Sequence, residues 1–231
     1  MMRTVSLETH SVRQVNQWLH EQNAKLEEEN WQITEPQGRH ALACGLDQAL
    51  KLTIDGHAGY YCAGMNKQAE VVIEGSAGVG VAENMMSGTV RVRGNASQCA
   101  GATAHGGLLV IEGDAGARCG IAMKGVDIVV GGNVGPMSGF MAQAGRLVVC
   151  GNADEALGDS LYEARLYVRG TVESLGADCE EKNMTPEDQT ELAELLHAAG
   201  YRNTFRTEEF RVYGSARRLY NFQIDQAGPD R

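Results

Sequence analysis

The chain has 231 residues, and its 20 Lys and Arg set against 30 Asp and Glu give a formal net charge of −10 at pH 7. This charge argues against a nucleic-acid backbone as the main partner, because neutralising phosphates requires a basic surface. The hydrophobic fraction of 43% argues against a disordered chain. No run approaches the 18 apolar residues of a membrane span. Glycine, at 29 residues, is nearly twice its average usage of about 7%.

The N-terminal segment, residues 1–50, is predicted to form an α/β cap. Its first residues lack the apolar core of a signal peptide, which predicts a cytoplasmic protein. An amphipathic stretch follows, with Ser11 as the expected N-cap and with Val15 and Leu19 on one face. We expect this helix to end near Leu26.

Residues 51–176 contain an internal repeat of 19 residues. In each copy, aliphatic residues stand four and two positions before a glycine, and the residue directly before that glycine is mostly polar. This alternation is typical of a strand with one buried face. The repeated glycines are Gly56, Gly75, Gly94, Gly113, Gly132, Gly151 and Gly170.

The repeat predicts an all-β fold, because 19 residues are too few for a βαβ crossover of about 30 residues. We expect a right-handed parallel β-helix of seven coils, with the inward aliphatic residues of successive coils stacked into a core. The glycines are interpreted as corner residues that allow positive φ and close stacking of one backbone on the next. Replacing Gly113 or Gly132 by valine is therefore expected to cause backbone strain as well as a clash.

The C-terminal segment, residues 177–231, is predicted to contain a helix and an interface tail. Thr185 is the expected N-cap, Pro186 takes the first helical position, and Gly200 is a plausible end. Both flanks are expected to cap the open ends of the solenoid, whose terminal coils otherwise expose strand edges.

The chain shows no pattern that indicates a catalytic, cofactor-binding or metal-binding residue. It lacks a G-x-S-x-G elbow, a phosphate-binding loop, a C-x-x-C pair and paired histidines at metal-ligand spacing. The six cysteines are interpreted as small buried thiols. Asp55, Glu74 and Glu112 recur before repeat glycines with Arg93 among them, and this column is interpreted as a solvated, ion-paired face.

Two groups of residues are candidates for a partner interface. Methionines such as Met85, Met86 and Met123 form an adaptable apolar surface if they are exposed, and the alternative is that they fill the solenoid interior. Near the C-terminus, Arg and aromatic residues combine as they do in interface hot spots, and the alternative is that they seal the last coil. The candidates there are Arg217, Arg218 and Tyr220.

The coils follow the pattern G-x-x-G-x-x-x-G, most clearly in GDAGARCGIAMKGVDIVVGGNVGPMSGFMAQAG at 113–145. This stretch resembles the GXGXG domain of glutamate synthases. The size of the chain and its SARRLYNF sequence at 215–222 are similar to the small GXGXG subunit of N-methylglutamate synthase. The resemblance implies a cytoplasmic hetero-oligomer with an amidotransferase-like subunit and a subunit carrying FMN and an iron–sulfur cluster. The holoenzyme would convert glutamate and methylamine into N-methylglutamate and ammonia.

The leading hypothesis is therefore a non-catalytic assembly subunit without a cofactor of its own. GXGXG chains also occur as a detached domain of archaeal-type glutamate synthases and as a subunit of formylmethanofuran dehydrogenase, so these functions stay open. Two further alternatives are a stand-alone β-helix enzyme, which requires convergent acids or a histidine on adjacent coils, and a scaffold that polymerises through its ends. The long flanks argue against polymerisation.

Overall fold

The computed structural model describes residues 2–21 and 30–217, in which eleven strands form one continuous sheet. The strands are β1 Met2–Ser6, β2 Asn30–Thr34, β3 Lys51–Asp55, β4 Glu70–Ile73, β5 Thr89–Val92, β6 Leu108–Ile111, β7 Lys124–Val130, β8 Ala144–Val149, β9 Arg165–Val168, β10 Cys179–Lys182 and β11 Arg211–Ser215. The helices are α1 Val12–His20 and α2 Pro186–Ala198. Neither helix is long and apolar enough to cross a membrane.

The predicted parallel β-solenoid of seven coils is confirmed. Strands β3 to β9 pair in parallel at a register of 19 residues, as in the pairs Leu52↔Val71 and Val71↔Val90. Their inward aliphatic side chains are buried in one core. A second inward column of small residues is joined by isolated parallel bridges, and it consists of Ala58, Ala77, Ala96, Ala115, Val134, Ala153 and Val172.

The solenoid begins before residue 51, so the boundary predicted for the N-terminal cap is wrong. Strand β2 pairs in parallel with β3, and residues 30–50 form a further coil. The sequence repeat does not extend to this coil, because β2 pairs with β3 at a register of 21 residues and the residue 19 positions before Gly56 is Gln37. Helix α1 covers this end of the core and ends at His20, whereas the predicted end at Leu26 lies outside the described residues.

The C-terminal flank closes the other end of the sheet. Strand β11 pairs antiparallel with β9, and β10 pairs antiparallel with β11. Helix α2 has the predicted N-cap, because Thr185 accepts a hydrogen bond from the Asp188 backbone N–H while the Asp188 carboxylate accepts one from the Thr185 backbone N–H. The helix packs on the outer face of β6 to β9, where leucines of α2 join outward residues of those strands, such as Val129 and Val148, in a second buried cluster.

The repeat glycines are required because a Cβ at these positions would collide with the preceding coil. The prediction of backbone strain at Gly113 and Gly132 is wrong, because neither residue has a positive φ. Of the seven, Gly56 alone has a positive φ. A Cβ on Gly151 would lie 2.6 Å from the Gly132 carbonyl oxygen, closer than real Cβ atoms approach. Positive φ occurs instead five, seven and nine residues after the repeat glycine, in the turns, as at Ala63.

Candidate functional site

A ladder of polar side chains follows the repeat glycines along the solenoid. In the first six of the seven repeats, the residue directly after the glycine accepts a hydrogen bond from the backbone N–H of the same position in the next coil, which supplies a partner to an N–H group outside the strand ladder. The donor–acceptor pairs are Ser76 to His57 (2.9 Å), Asn95 to Ser76 (3.1 Å), Asp114 to Asn95 (2.9 Å), Asn133 to Asp114 (2.7 Å), Asn152 to Asn133 (2.8 Å) and Thr171 to Asn152 (2.9 Å).

The ladder was not predicted, although the sequence contains its signal. Each of the seven residues that follow a repeat glycine carries a side-chain nitrogen or oxygen atom that can accept a hydrogen bond. The ladder also explains part of the glycine requirement, since a Cβ on Gly151 would lie 2.6 Å from the Asn133 Oδ1 atom that makes the hydrogen bond. Glycine and the polar residue after it therefore act together to hold adjacent coils.

The outer face of the strands carries the predicted ion pairs. Arg93 lies 2.5 Å from Glu112 and 3.9 Å from Glu74, which confirms the predicted pairing of Arg93 with these two carboxylates. Arg91 also contacts Glu112, at 3.0 Å, and donates to the Ala199 carbonyl oxygen at 3.2 Å, so the column is tied to the end of α2. The carboxylates of Glu74 and Glu112 thus neutralise arginines in the sheet, an arrangement unlike a pair of catalytic acids.

A second charged cluster holds α2 against the sheet. Arg146 donates two hydrogen bonds to the Asp127 carboxylate, at 2.7 and 2.8 Å, and its guanidinium lies 3.6 Å from Glu191. The Tyr167 hydroxyl donates to Asp188 at 3.3 Å and lies 3.4 Å from Glu191. Burial raises the pKa of Tyr167, an effect that the nearby carboxylates reinforce. This hydroxyl therefore stays protonated at neutral pH.

Asp188 is fixed by the same cluster. Burial raises the pKa of its carboxyl group, but hydrogen bonds from Thr185 and the charge of Arg165 outweigh burial and lower the pKa below its ordinary value. Asp188 is therefore ionised at neutral pH and serves the helix cap. Two open grooves of about 510 and 560 Å³ run beside it, and both are lined by Arg165.

Burial lowers the reactivity of most of the thiols. Burial raises the pKa of Cys119 and of Cys150 to about 12 and that of Cys179 to about 11, so these thiols are neutral at pH 7 and poor nucleophiles. Cys62 is also buried, whereas Cys44 and Cys99 are partly exposed. Among the residues that the structure describes, no group of three His, Cys, Asp or Glu side chains is placed to hold a metal ion.

The methionines predicted as an interface divide into two sets. Met86 is 47% exposed, but Met85 and Met123 are fully buried, so their assignment to a surface is wrong and they fill the solenoid interior. The repeat carried a signal for this division. Met85 and Met123 share a position that is buried in coil after coil, and Met86 shares the next position with polar residues such as Lys67 and Lys124.

The side of the coils that carries the turns has exposed apolar side chains. We define the turn face as the residues three to eleven positions after the repeat glycine in the six coils that follow Gly56 to Gly151, namely 59–67, 78–86, 97–105, 116–124, 135–143 and 154–162. Its exposed large apolar residues are Tyr60, Met65, Val79, Met86, Met141 and Tyr162. These side chains all lie in the turns of the coils.

Of the three residues predicted as a C-terminal interface, the structure describes one. Arg217 is the last described residue, and its exposed guanidinium forms an ion pair with Asp178. Arg218 and Tyr220 lie outside the described residues. An interface role for all three stays a prediction.

Comparison with known proteins gives one strong similarity. The chain is 56% identical over 226 residues to Protein GlxC of Rhizobium meliloti (strain 1021), and the alignment covers 98% of this chain and 99% of that protein. No protein-family model matches the chain, and no solved structure matches it. The similarity therefore includes the solenoid and both flanks.

Proposed function

Since the chain belongs to the same family as Protein GlxC, we propose that it is a non-catalytic assembly subunit of a glutamate-synthase-like enzyme. The enzyme proposed is an N-methylglutamate synthase, in which glutamate and methylamine give N-methylglutamate and ammonia. The chemistry would be carried out by an amidotransferase-like subunit and by a subunit with FMN and an iron–sulfur cluster. The GXGXG pattern of the coils, as at 113–145, supports the glutamate-synthase relationship.

The observation that carries the proposal is that the charged side chains and buried thiols of this chain have structural roles. The charged side chains that lie close together form ion pairs, as with Arg146 and Asp127, or cap a helix, as with Asp188. The buried thiols are neutral, as at Cys119. The turn face, in contrast, exposes large apolar side chains. Such a surface is suited to binding another protein.

The residues of this chain do not fit an iron–sulfur cluster of its own. Such clusters need several cysteine thiolates that converge on one point. In the described residues, Cys62, Cys119 and Cys150 are buried thiols with raised pKa values, and no cluster of three metal ligands forms. We therefore propose that a partner subunit holds the cluster, and the resemblance to glutamate synthases assigns the flavin to the same subunit.

The proposed role is to hold two active sites at a fixed separation. Seven coils at a strand spacing of about 4.8 Å give about 29 Å from the first strand to the last. Each coil is joined to the next by strand hydrogen bonds and by the polar ladder, for example between Asn133 and Asn152. A rigid spacer of this kind keeps sites that exchange a small amine in register, which a flexible linker does poorly.

The test is purification of the tagged full chain from the cells that produce it, followed by a visible spectrum and an activity assay. Co-purification of an amidotransferase-like chain and a yellow-brown flavin and iron–sulfur chain is expected. The assembly should form N-methylglutamate from glutamate and methylamine, measured by mass spectrometry. A colourless eluate of this chain alone, or an isolated chain that itself converts glutamate, contradicts the proposal.

The same assay separates the related functions. An assembly that forms glutamate from glutamine and 2-oxoglutarate and ignores methylamine indicates a glutamate synthase. An assembly that oxidises formylmethanofuran indicates the corresponding dehydrogenase. Either result keeps the assembly role and replaces the substrate.

A further inference from the structure

Two histidines near the N-terminal end of the solenoid accept hydrogen bonds from the backbone of the next coil. The Tyr60 N–H donates to His40 Nδ1 at 3.0 Å, and the Ser76 N–H donates to His57 Nδ1 at 2.9 Å. The first bond joins the coil at 30–50 to the first repeat coil, and the second joins the first repeat coil to the second. Two successive junctions of the solenoid thus include an imidazole acceptor.

The acceptor role fixes the protonation state of both rings. A ring nitrogen accepts a hydrogen bond only when it carries no proton, so Nδ1 of each ring is unprotonated and the proton of the neutral ring is on Nε2. The backbone N–H cannot reverse its role, because it is always a donor. A second proton, taken up at Nδ1, would place two N–H groups against each other and remove the bond. Histidine is the side chain whose charge ordinarily changes between pH 5 and 8, so both bonds can be lost in that range.

The position of His57 in the repeat supports its role as an acceptor. It is the first member of the polar ladder, and the same position in the following coils holds the acceptors Ser76, Asn95 and Asp114. Its ring lies against the next coil, since a Cβ on Gly75 would be 2.7 Å from the Nδ1 atom. Serine and asparagine do not titrate near neutral pH, and an aspartate is ionised throughout that range. Histidine is therefore the residue type of this ladder whose charge changes there.

The His40 ring is held in the acceptor orientation by stacking. Its plane lies 15° from that of the Tyr60 ring, with the two centroids 4.4 Å apart. Tyr60 is also the residue whose N–H donates to this imidazole. The stacking and the hydrogen bond together keep Nδ1 directed at the backbone of the next coil.

Two other histidines make hydrogen bonds that protonation preserves. His20 Nε2 lies 2.9 Å from the Cys44 carbonyl oxygen, and His10 Nδ1 lies 3.2 Å from the Ser6 carbonyl oxygen. A carbonyl oxygen can only accept a hydrogen bond, so these rings donate and their bonds persist when the ring is charged. Acidification therefore removes the two bonds between coils and leaves these contacts in place.

The charged groups around the two accepting rings do not replace the lost hydrogen bonds. Within the described residues, none of the ion pairs includes His40 or His57. Helix α1 contacts this end of the solenoid through Asn16, and its titratable residues on that side are Arg13 and His20. In the coil segments 35–40, 55–60 and 74–79, the other ionisable residues are Glu35, Arg39, Asp55, Tyr60 and Glu74. The three carboxylates favour uptake of a proton by the rings, but they give a charged ring no bond to the next coil.

We propose that His40 and His57 make the first two coil junctions proton-sensitive, so that acidification releases the Tyr60 and Ser76 N–H groups and loosens the N-terminal coils. The strand pairs β2–β3 and β3–β4 and the buried core do not titrate, so the coils loosen without separating. The bonds are present where the rings are neutral and are lost as the pH falls through their titration. This property is independent of the assembly role proposed above.

The first test is the position of the proton on each ring, measured in the full chain at pH 8 by long-range NMR correlation of ring protons and nitrogens. In His40 and His57, Nδ1 should be unprotonated and Nε2 protonated. His10 is the control, because its Nδ1 donates to the Ser6 carbonyl oxygen and should carry the proton. A proton on Nδ1 of His40 or His57 at this pH overturns the proposal.

The second test is amide hydrogen exchange in the full chain between pH 8 and pH 5.5, with each rate compared with that of an unstructured amide at the same pH. Protection of the Tyr60 and Ser76 amides should fall about threefold to tenfold as the pH is lowered, which corresponds to the loss of one hydrogen bond. The control is the Asn152 amide, which donates in the same ladder to the Asn133 side chain at 2.8 Å. That acceptor does not titrate, so equal losses at all three amides overturn the proposal.

His57→Asn is a matched variant, because asparagine accepts the corresponding hydrogen bond at Asn95 and Asn133 and has no charge to gain. His57 is exposed, so folding should persist. In this variant the Ser76 amide should keep its protection at pH 5.5, while the Tyr60 amide still loses protection as in the unchanged chain. A Ser76 amide that loses protection with pH to the same extent in the variant overturns the role of the imidazole.

Discussion

Replacing Gly151 by alanine tests whether the repeat glycine is required for space between coils. The added Cβ would lie 2.6 Å from the Gly132 carbonyl oxygen, 2.7 Å from the Gly132 carbonyl carbon and 2.6 Å from Asn133 Oδ1. Those atoms are held in place, since the Gly151 N–H donates to Gly132 at 2.9 Å and the Asn152 N–H donates to Asn133 at 2.8 Å. Relief of the clash therefore requires the two coils to separate locally.

The expected cost follows from the contacts that must be given up. Overpacking against fixed neighbours costs about 1–3 kcal/mol. Stretching the two hydrogen bonds adds about 0.5–1.5 kcal/mol for each. Together these contributions predict that the free energy of unfolding falls by about 2–6 kcal/mol.

The assay is equilibrium unfolding in urea, combined with hydrogen exchange of peptides that span residues 132–152. Gly200→Ala is the control, because Gly200 has φ +88° but open space around its Cβ position, so this variant carries backbone strain without a clash. Loss of protection confined to the two coils is expected for the Gly151 variant. If Gly151→Ala unfolds with wild-type free energy and wild-type exchange, the steric account of the repeat is refuted.

Three further predictions concern the ladder, the α2 cluster and the thiols. Asn152→Ala removes the acceptor for the Thr171 N–H and should lower the free energy of unfolding by about 1–3 kcal/mol, whereas Asn152→Asp, which keeps an oxygen acceptor, should cost clearly less; equal losses contradict the ladder. A double-mutant cycle of Arg146→Ala and Asp127→Ala in urea should give a coupling of about 1 kcal/mol for this partly exposed pair, and additivity contradicts it. Burial raises the pKa of Cys119 from 9.0 to about 12, so its contribution to stability is fully present below pH 9 and is lost as the pH rises through about 12; Cys119→Ala should flatten that part of the stability profile, and an unchanged slope refutes the linkage.

The sequence predicted that methionines contribute to an interaction surface, but it did not predict which of them are exposed. The sequence indicated that methionines in the turn half of the repeat were candidates, and it did not separate Met86, which is exposed, from Met85 beside it, which is buried. The separation depends on the direction of each Cα–Cβ bond in a turn with several positive φ angles. A comparison of the same position across coils carries this information, because the position of Met85 is small or apolar in every 19-residue coil but the first, where it is Asn66.

The sequence by itself determined the solenoid, its coil length and the start of α2. These features follow from short-range patterns, namely alternating aliphatic residues before a glycine every 19 residues and a Thr185-Pro186 helix start. The tertiary structure alone decided the coil at 30–50, the antiparallel strands that close the C-terminal end, and the packing of α2 on β6 to β9. It also showed that Gly151 is required by the approach of the preceding coil. The physical reason is that strand alternation and helix caps are local properties of the chain, whereas the space and the partners around a residue come from segments that are distant in sequence.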